Sequence, residues 1–480
     1  MPVGRIPFGF EESGDNPLAG ANELAVNVLI DGKGAVRRRP GITTLDDAPD
    51  TVVNSAGIDG VYVTEFAGEI FAVSASPPAL RSVYRVAGGS VNDLTNGSSD
   101  AGLRGTARPV FASTEALVFI TGGDDVQKII LDGYQSARLG GGPPLATHCL
   151  VNANRLVLSG VESPRSQLRY SDQGIGDATA PFEEWTDPLF SGAVQASARK
   201  SPVVAIHENT NEVWAFLGTG TQVFTSDNTL VFGETRSDEH GCSAPYSVTK
   251  YREGFAWINH SKQIVMSGAR GSEVISGPIQ KTLDEIDIAG AWGFAADLGQ
   301  FSFLAWMFPA AGFGFIYQVG GGWSRWAGFD GNNWTTPKLM SVAQRWGAAK
   351  QYVVGTTDGY IGQLSLDALD DLGSPIRSYC RSGYLSRGSQ SSPDDGRKMC
   401  NGIKLTFDVA PSTSLEDIGW VRWRDEDGQW RERVPVRPRG SVVDLRSLGT
   451  YRRRQWEFEW RNDADVTLIS ATEDYQVLST

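Results

Sequence analysis

The stretch Ser201–Asp227, SPVVAIHENTNEVWAFLGTGTQVFTSD, decides the fold class. It contains three short apolar bursts, Val203–Ile206, Val213–Leu217 and Gln222–Phe224. The first two are separated by Glu208-Asn209-Thr210-Asn211 and the last two by Gly218-Thr219-Gly220. β-Branched and aromatic residues fill the bursts, and Asn and Gly sit where a chain reverses. Three strands joined by tight turns form a meander too small to bury itself. Such a unit needs copies of itself to stack against.

The chain supplies them. Opening strands are expected near Val61, Val110, Leu150, Val203, Ser247, Ala289 and Ser341, at intervals of 40–53 residues. Ala116–Gly133, Asn154–Gly160, Glu253–Gly268 and Lys350–Asp367 repeat the same order of strand, polar turn, strand and Gly-rich turn. A unit of three or four strands recurring at that period marks a β-propeller, here of about seven blades. No WD dipeptide or kelch signature accompanies it, so the period alone carries the assignment. The competing architecture is a pair of stacked β-sandwich domains.

Outside the repeats the grammar changes. Residues 1–55 are expected to form an extended N-terminal arm, residues 56–370 the propeller and residues 371–480 a C-terminal β-sandwich. The arm holds one hairpin, Asn27–Val36, turning at Asp31-Gly32-Lys33-Gly34. Ser386–Arg397 reads as a polar loop. Ile403–Val409, Trp420–Arg424, Trp430–Val436 and Gln455–Trp460 read as antiparallel strands. In the last, Trp456, Phe458 and Trp460 alternate with Gln455, Glu457 and Glu459, which predicts one buried face and one wet face. The final strand has two possible places, in the sandwich or closing the propeller.

The formal net charge is −13, which argues against a broad basic surface for gripping nucleic acid. Residues 371–480 carry 17 basic and 17 acidic residues; residues 1–370 carry 26 and 39. Cys149, Cys242, Cys380 and Cys400 lack the paired spacing of a zinc site or a disulfide framework, and are expected as reduced thiols. Leu298–Ser324 carries no charged residue, and Pro309-Ala310-Ala311-Gly312 breaks it in the middle. That interruption divides it into FSFLAWMF and FGFIYQV, a buried hairpin in place of a membrane span.

No catalytic constellation stands out. His207 lies within an apolar burst and reads as a core or turn histidine, and His260 beside a turn as solvated. There is no GxSxG elbow and no HExxH, and Gly218-Thr219-Gly220-Thr221 lacks the lysine of a phosphate loop. The enzyme alternative is a sialidase- or lyase-like propeller acting on glycans. For it, the Asp-bearing turns at Ser171–Gly174 and Thr357–Gly359 resemble those that cap reversals in sialidase-like blades, and Glu183, Glu184, Trp185 and Asp187 would line a sugar cleft, the plainer reading of the latter being a polar loop with a buried Trp. The concentrated basic runs are Arg37-Arg38-Arg39 and Arg452-Arg453-Arg454, candidate contacts with partners.

The order Asn27-Val28-Leu29, hairpin, Arg39-Pro40-Gly41-Ile42, followed by Val213–Phe224 and by YVVGTTDGYIGQLSL at Tyr352–Leu366, resembles the packaged-DNA stabilisation proteins of short-tailed bacteriophages. These are the tail-hub, or nozzle, subunits below the portal. The resemblance implies a propeller fold and a structural virion protein, not an enzyme, with no catalytic residues, cofactor or metal. It further implies a ring of this chain, commonly sixfold, assembled in the host cytoplasm and docked beneath portal and adaptor proteins. Tail fibres or spikes and a plug or needle would meet its outer and lower faces, with packaged double-stranded DNA close by. The acidic excess of residues 1–370 would keep the bore from gripping DNA, provided it lies within the Debye length of about 8 Å.

Overall fold

The computed structural model describes residues 3–6, 25–46, 48, 51–75, 80–95, 101–160, 164–173, 180–186, 191–196, 201–225, 233–252, 254–268, 271–299, 301–345, 350–382, 397–409, 417–425, 428–437 and 442–478. Among these, seven antiparallel blades open at Ile58, Val110, Ala146, Val203, Thr249, Trp292 and Leu339. The protein is all-β, a propeller carrying a C-terminal β-sandwich. The polar loop expected at Ser386–Arg397 falls almost wholly outside the described residues.

The stretch at 201–227 forms three strands of the fourth blade, Val203–Asn209, Glu212–Leu217 and Thr221–Thr225, with Gly233–Asp238 at its edge. Its first turn is closed by Thr210 at a φ of 57°. The run EVWAFL is continuously apolar because its strand is covered on both faces. Val213, Ala215 and Leu217 pack with Leu150 and Val157 of the third blade. Trp214 and Phe216 pack with Phe255 and Trp257 of the fifth. The same sharing recurs around the ring, so that each blade's core belongs equally to its neighbours.

The sixth blade contains the long apolar stretch as a hairpin, Phe301–Phe308 against Phe313–Gln318, reversed by a short 3-10 turn at Pro309–Ala311. Among the described residues no helix is long and apolar enough to cross a membrane.

The N-terminal segment closes the structure. Gly41–Thr44 is hydrogen-bonded beside Ile361–Ser365 as the fourth strand of the seventh blade. Gly41 is required there, since a Cβ would sit 2.3 Å from the Asp370 carbonyl oxygen. The first strand of that blade then lies against Ile58–Val63, with Ser341 Oγ donating to Ile58 O at 3.0 Å. Upstream, Val28–Ile30 and Val36–Arg38 form the expected hairpin. Asp31 Oδ1 accepts from the Lys33 and Ala35 backbone N–H groups at its turn. This hairpin and Val3–Arg5 join one sheet of the sandwich, with Val466–Val477, Lys398–Val409 and Val442–Arg446. The arm therefore runs through the chain's own two domains.

The final strand, Val466–Val477, lies in the sandwich, and Gly41–Thr44 of the arm closes the propeller in its stead. The second sandwich sheet continues from the sixth blade without a break. Trp323–Trp326 pairs with Ala25–Val26, followed by Tyr379–Arg381, Arg454–Trp460, Gly419–Asp425 and Val434–Val436. Trp456, Phe458 and Trp460 face Val28, Leu405, Phe407 and Leu468.

One expectation is corrected here. Gln455, Glu457 and Glu459 are buried, so the opposite face of their strand is not wet. Arg381 and Arg422 both bind Glu457, and Arg377 and Arg433 both bind Glu459. The guanidinium groups of Arg381, Arg422 and Arg424 lie around the Trp430 ring. Alternation reports which residues share a face; it does not report what neighbouring strands lay over that face.

Ile42 is buried in the closing strand, among Leu364, Tyr352 and Val354. Ile42→Ala is expected to lower unfolding stability by about 2–5 kcal/mol, read by denaturant titration. A loss below about 0.5 kcal/mol would show that the arm does not close the ring.

Candidate functional site

Two places gather charged or chemically capable side chains. The first is the seam between propeller and sandwich. Asn27, buried with φ at 55°, sits at its centre. Its side-chain oxygen accepts from Ala327 N at 2.9 Å and Arg39 Nε at 3.0 Å, and its Nδ2 donates to Arg377 O at 2.9 Å. Arg39 reaches Asp371 through two hydrogen bonds, of 3.0 and 2.6 Å, with its guanidinium carbon 4.6 Å from the centre of the Trp326 ring. Arg38 donates to the carbonyls of Asn462 and Leu369, 2.6 and 2.5 Å away. Burial, and then the charge of Arg39, lower its pKa to about 10. Arg37 is partly buried and bound to Asp465 at 3.1 Å.

Of the six arginines expected as partner contacts, Arg38, Arg39 and Arg454 are therefore internal. Arg454 is buried, with two hydrogen bonds to Asp425 of 2.6 and 3.0 Å. A guanidinium already surrounded by carbonyls or a carboxylate has no donor face for another chain. Arg452 and Arg453 are exposed, and Arg37 keeps a partial surface. The triplets look alike in sequence; burial divides them.

The glycan-cleft candidates do not assemble. Glu183 binds Lys128 and accepts from Gly140 N at 3.1 Å. Burial pushes its carboxyl up, but these two contacts more than offset that and hold it below the usual range. Trp185 is in the core between the second and third blades. Glu184 accepts from the Thr186 N–H and hydroxyl, both at 2.8 Å. Asp187 lies outside the described residues. Asp172 caps its own turn by accepting from Gln173 N at 2.6 Å, and Asp358 pairs with Lys338 at 2.9 Å. All four cysteines are buried and free. Burial drives the Cys149 and Cys242 thiols up to about 12, far from a reactive thiolate.

The remaining place was not anticipated. A cavity of about 230 Å³ lies on the propeller axis, lined from all seven blades, with Asp59, Arg108, His148, His207, Tyr246 and Trp292 among its walls. Each of these except His207 falls within three residues of the start of an opening strand. That common position was the available signal, visible once the repeats are aligned on their first strands. Asp59 Oδ2 accepts from Arg81 Nη1 at 3.0 Å, and burial raises the Asp59 carboxyl. The His148 ring stacks on Tyr246 with centroids 5.3 Å apart. Burial lowers His148 to about 4; burial, then the charges of His148 and Lys250, lower His207 to about 3. His207 is thus a wall of the axial cavity, neutral at pH 7, and His260 is exposed. Among the described residues no group of three or more His, Cys, Asp or Glu is placed to hold a metal.

No protein-family model and no curated protein matches the chain. Among solved structures it is similar to the N-terminal domain of Nup159, at 9% identity over 72% of this chain and 99% of that one, with a TM-score of 0.41. BamB from Moraxella catarrhalis is similar at 8% identity over 71% and 96%, with a TM-score of 0.40. Kluyveromyces lactis Hsv2 is similar at 13% identity over 63% and 97%, with a TM-score of 0.36. The strand pairing described above carries the fold, and no functional reading is taken from these three.

Two outcomes follow for the buried charges. Asp371→Ala leaves Arg39 buried without its counter-ion and is expected to cost about 3–5 kcal/mol. Arg452→Ala and Arg453→Ala are expected to change stability by less than about 0.5 kcal/mol. Denaturant titration of the three variants checks both.

The histidines give a pH dependence. Their folded pKa values lie below the ordinary 6.5, so the unfolded chain binds protons that the folded chain does not. Their contribution is fully present above pH 6.5 and is lost as pH falls toward 4. His148→Gln is expected to remove about 1.4 kcal/mol per pH unit from that slope, measured by urea unfolding between those two values. An unchanged slope would mean that His148 titrates normally in the folded chain.

Proposed function

We propose that this chain is a structural tail-hub subunit of a bacteriophage particle. It forms a ring below portal and adaptor proteins, helps to retain packaged DNA, and offers docking faces to tail fibres or spikes and to a plug. The observation that carries this reading is mechanical. One nine-stranded sheet passes from the sixth blade into the sandwich, and the N-terminal segment is hydrogen-bonded into both domains. A joint built that way resists hinging, because bending it would break sheet hydrogen bonds and expose the Arg39–Asp371 pair. A subunit that transmits load between a container and its fittings needs that stiffness.

The resemblance of Asn27–Ile42 and Tyr352–Leu366 to the tail-hub family supports the same reading. Side chains from all seven blades line the axial cavity, which leaves the passage for DNA to run between subunits and not through a propeller. Ring contacts are heterologous, one face meeting a different face of the next copy. Arg452 and Arg453 are the members of the two triplets exposed for that purpose. The glycan-enzyme alternative has less support. Asp59 is the carboxylate lining the axial cavity, and it is held by Arg81, whereas glycoside hydrolysis uses two acids facing one bond.

Light scattering coupled to size exclusion, with negative-stain imaging, tests the assignment. The purified chain is expected to form closed rings, alone or on a portal–adaptor complex. Arg452→Glu combined with Arg453→Glu should weaken ring formation and leave the melting temperature unchanged. A chain that stays monomeric with and without that complex, and that cleaves a glycan, would overturn the proposal.

A further inference from the structure

Arg108 poses a physical problem that the fold alone does not solve. It lies two residues before the first strand of the second blade and lines the axial cavity. Its guanidinium carbon is 4.3 Å from the centre of the Trp292 ring, and its Nη2 donates to the Met340 carbonyl. No carboxylate among the described residues comes within ion-pairing distance of it. The nearby acid, Asp59, is engaged by Arg81 at 3.0 Å. Burial outweighs the attraction of Asp59 and lowers the Arg108 pKa to about 10. A partly enclosed guanidinium whose nearest acid is bonded to another arginine is incompletely compensated, and buried charges are costly unless paired.

The surroundings suit one. The cavity of about 230 Å³ greatly exceeds the roughly 15 Å³ that a single water requires. His148 is almost wholly buried, and its Nε2 has no hydrogen-bond partner. The Arg108 guanidinium lies over the Trp292 ring, and beyond the Nη2 bond to Met340 its remaining N–H groups are donors of the kind that take two oxygens of one anion. Val61, Phe111 and Val248 form apolar wall around it, where a charge-assisted hydrogen bond is stronger than in water.

We propose that the axial cavity is a binding site for one small oxyanion, anchored by the Arg108 guanidinium beside Trp292 and His148. The ligand class is a phosphate-like or carboxylate anion of a few heavy atoms. Neutral His148 presents a ring nitrogen to the same space, and Asp59 repels any anion that does not sit against Arg108. The site joins the first strands of several blades at the axis, so an occupant would bridge them. It belongs to the single chain and does not depend on ring assembly.

Calorimetric titration of the full chain with inorganic phosphate, sulfate and acetate tests this, with sodium chloride at matched ionic strength as the control. One site per chain is expected, and whether phosphate or acetate binds more tightly assigns the anion class. Arg108→Met should weaken binding at least about tenfold, and Arg108→Lys, which keeps the charge without the fork, should fall between. Without added oxyanion, Arg108→Met should melt no lower than the parent chain, because it removes a charge that Asp59 only partly compensates. With the preferred oxyanion the parent should melt higher, by linkage. Should Arg108→Met fail to fold, diffraction from parent crystals soaked in tungstate decides. A dense peak within hydrogen-bonding distance of Arg108 supports the site, and its absence overturns it. Binding no tighter than chloride, or equal binding by Arg108→Met, also overturns it.

Discussion

The contact on which everything else depends is the lateral seam between blades. A four-stranded antiparallel sheet with apolar residues on both faces cannot persist alone in water. Here each such sheet buries one face against the blade before it and the other against the blade after it. The arrangement has no free end only if the last blade meets the first. Val353 and Ile361 of the seventh blade accordingly pack with Val61 and Ile70 of the first. Gly41–Thr44 supplies the seventh blade's missing edge strand from the far end of the sequence, so closure joins residues separated by some three hundred positions. Loop-closure entropy opposes such a contact, and the apolar burial on both sides of the seam offsets it.

The same N-terminal segment explains why the sandwich is not a loose appendage. Asn27 contacts the sixth blade through Arg325 and Ala327, the sandwich through Arg377 and Ser378, and Arg39 in its own segment. Buried polar groups are costly unless satisfied. A node that draws its hydrogen bonds from several elements at once therefore holds them in one relative position. The Arg–Glu–Trp layer over Arg454–Trp460 extends this logic outward. Glu457 and Glu459 are each held by two arginines, which turns a face that would have been solvated into a packed one.

The axial cavity comes from the geometry of the ring. First strands converge on the axis, and their side chains meet there whatever their identity. Nothing in the apolar periodicity marks Arg108, Asp59 or His148, because the period records which residues face the neighbouring blades. Their positions near the starts of opening strands would become informative only once the repeats were superposed. The arginine triplets were misleading for a related reason. Local composition shows charge density, whereas the fate of each guanidinium depends on residues such as Asp371 and Asp425 that are distant in sequence from Arg39 or in another strand from Arg454.

The sequence by itself determined the local structure: strand, turn, strand, at a regular period. Apolar bursts such as Val213–Leu217 and breakers such as Gly218-Thr219-Gly220 act over a few residues and are written contiguously. It thereby determined an all-β propeller of about seven blades. Only the tertiary structure decided how the ring closes, which charges are buried, and what lies on the axis. Those outcomes depend on contacts between residues hundreds of positions apart, and pairing at that range leaves no periodic trace in a single chain.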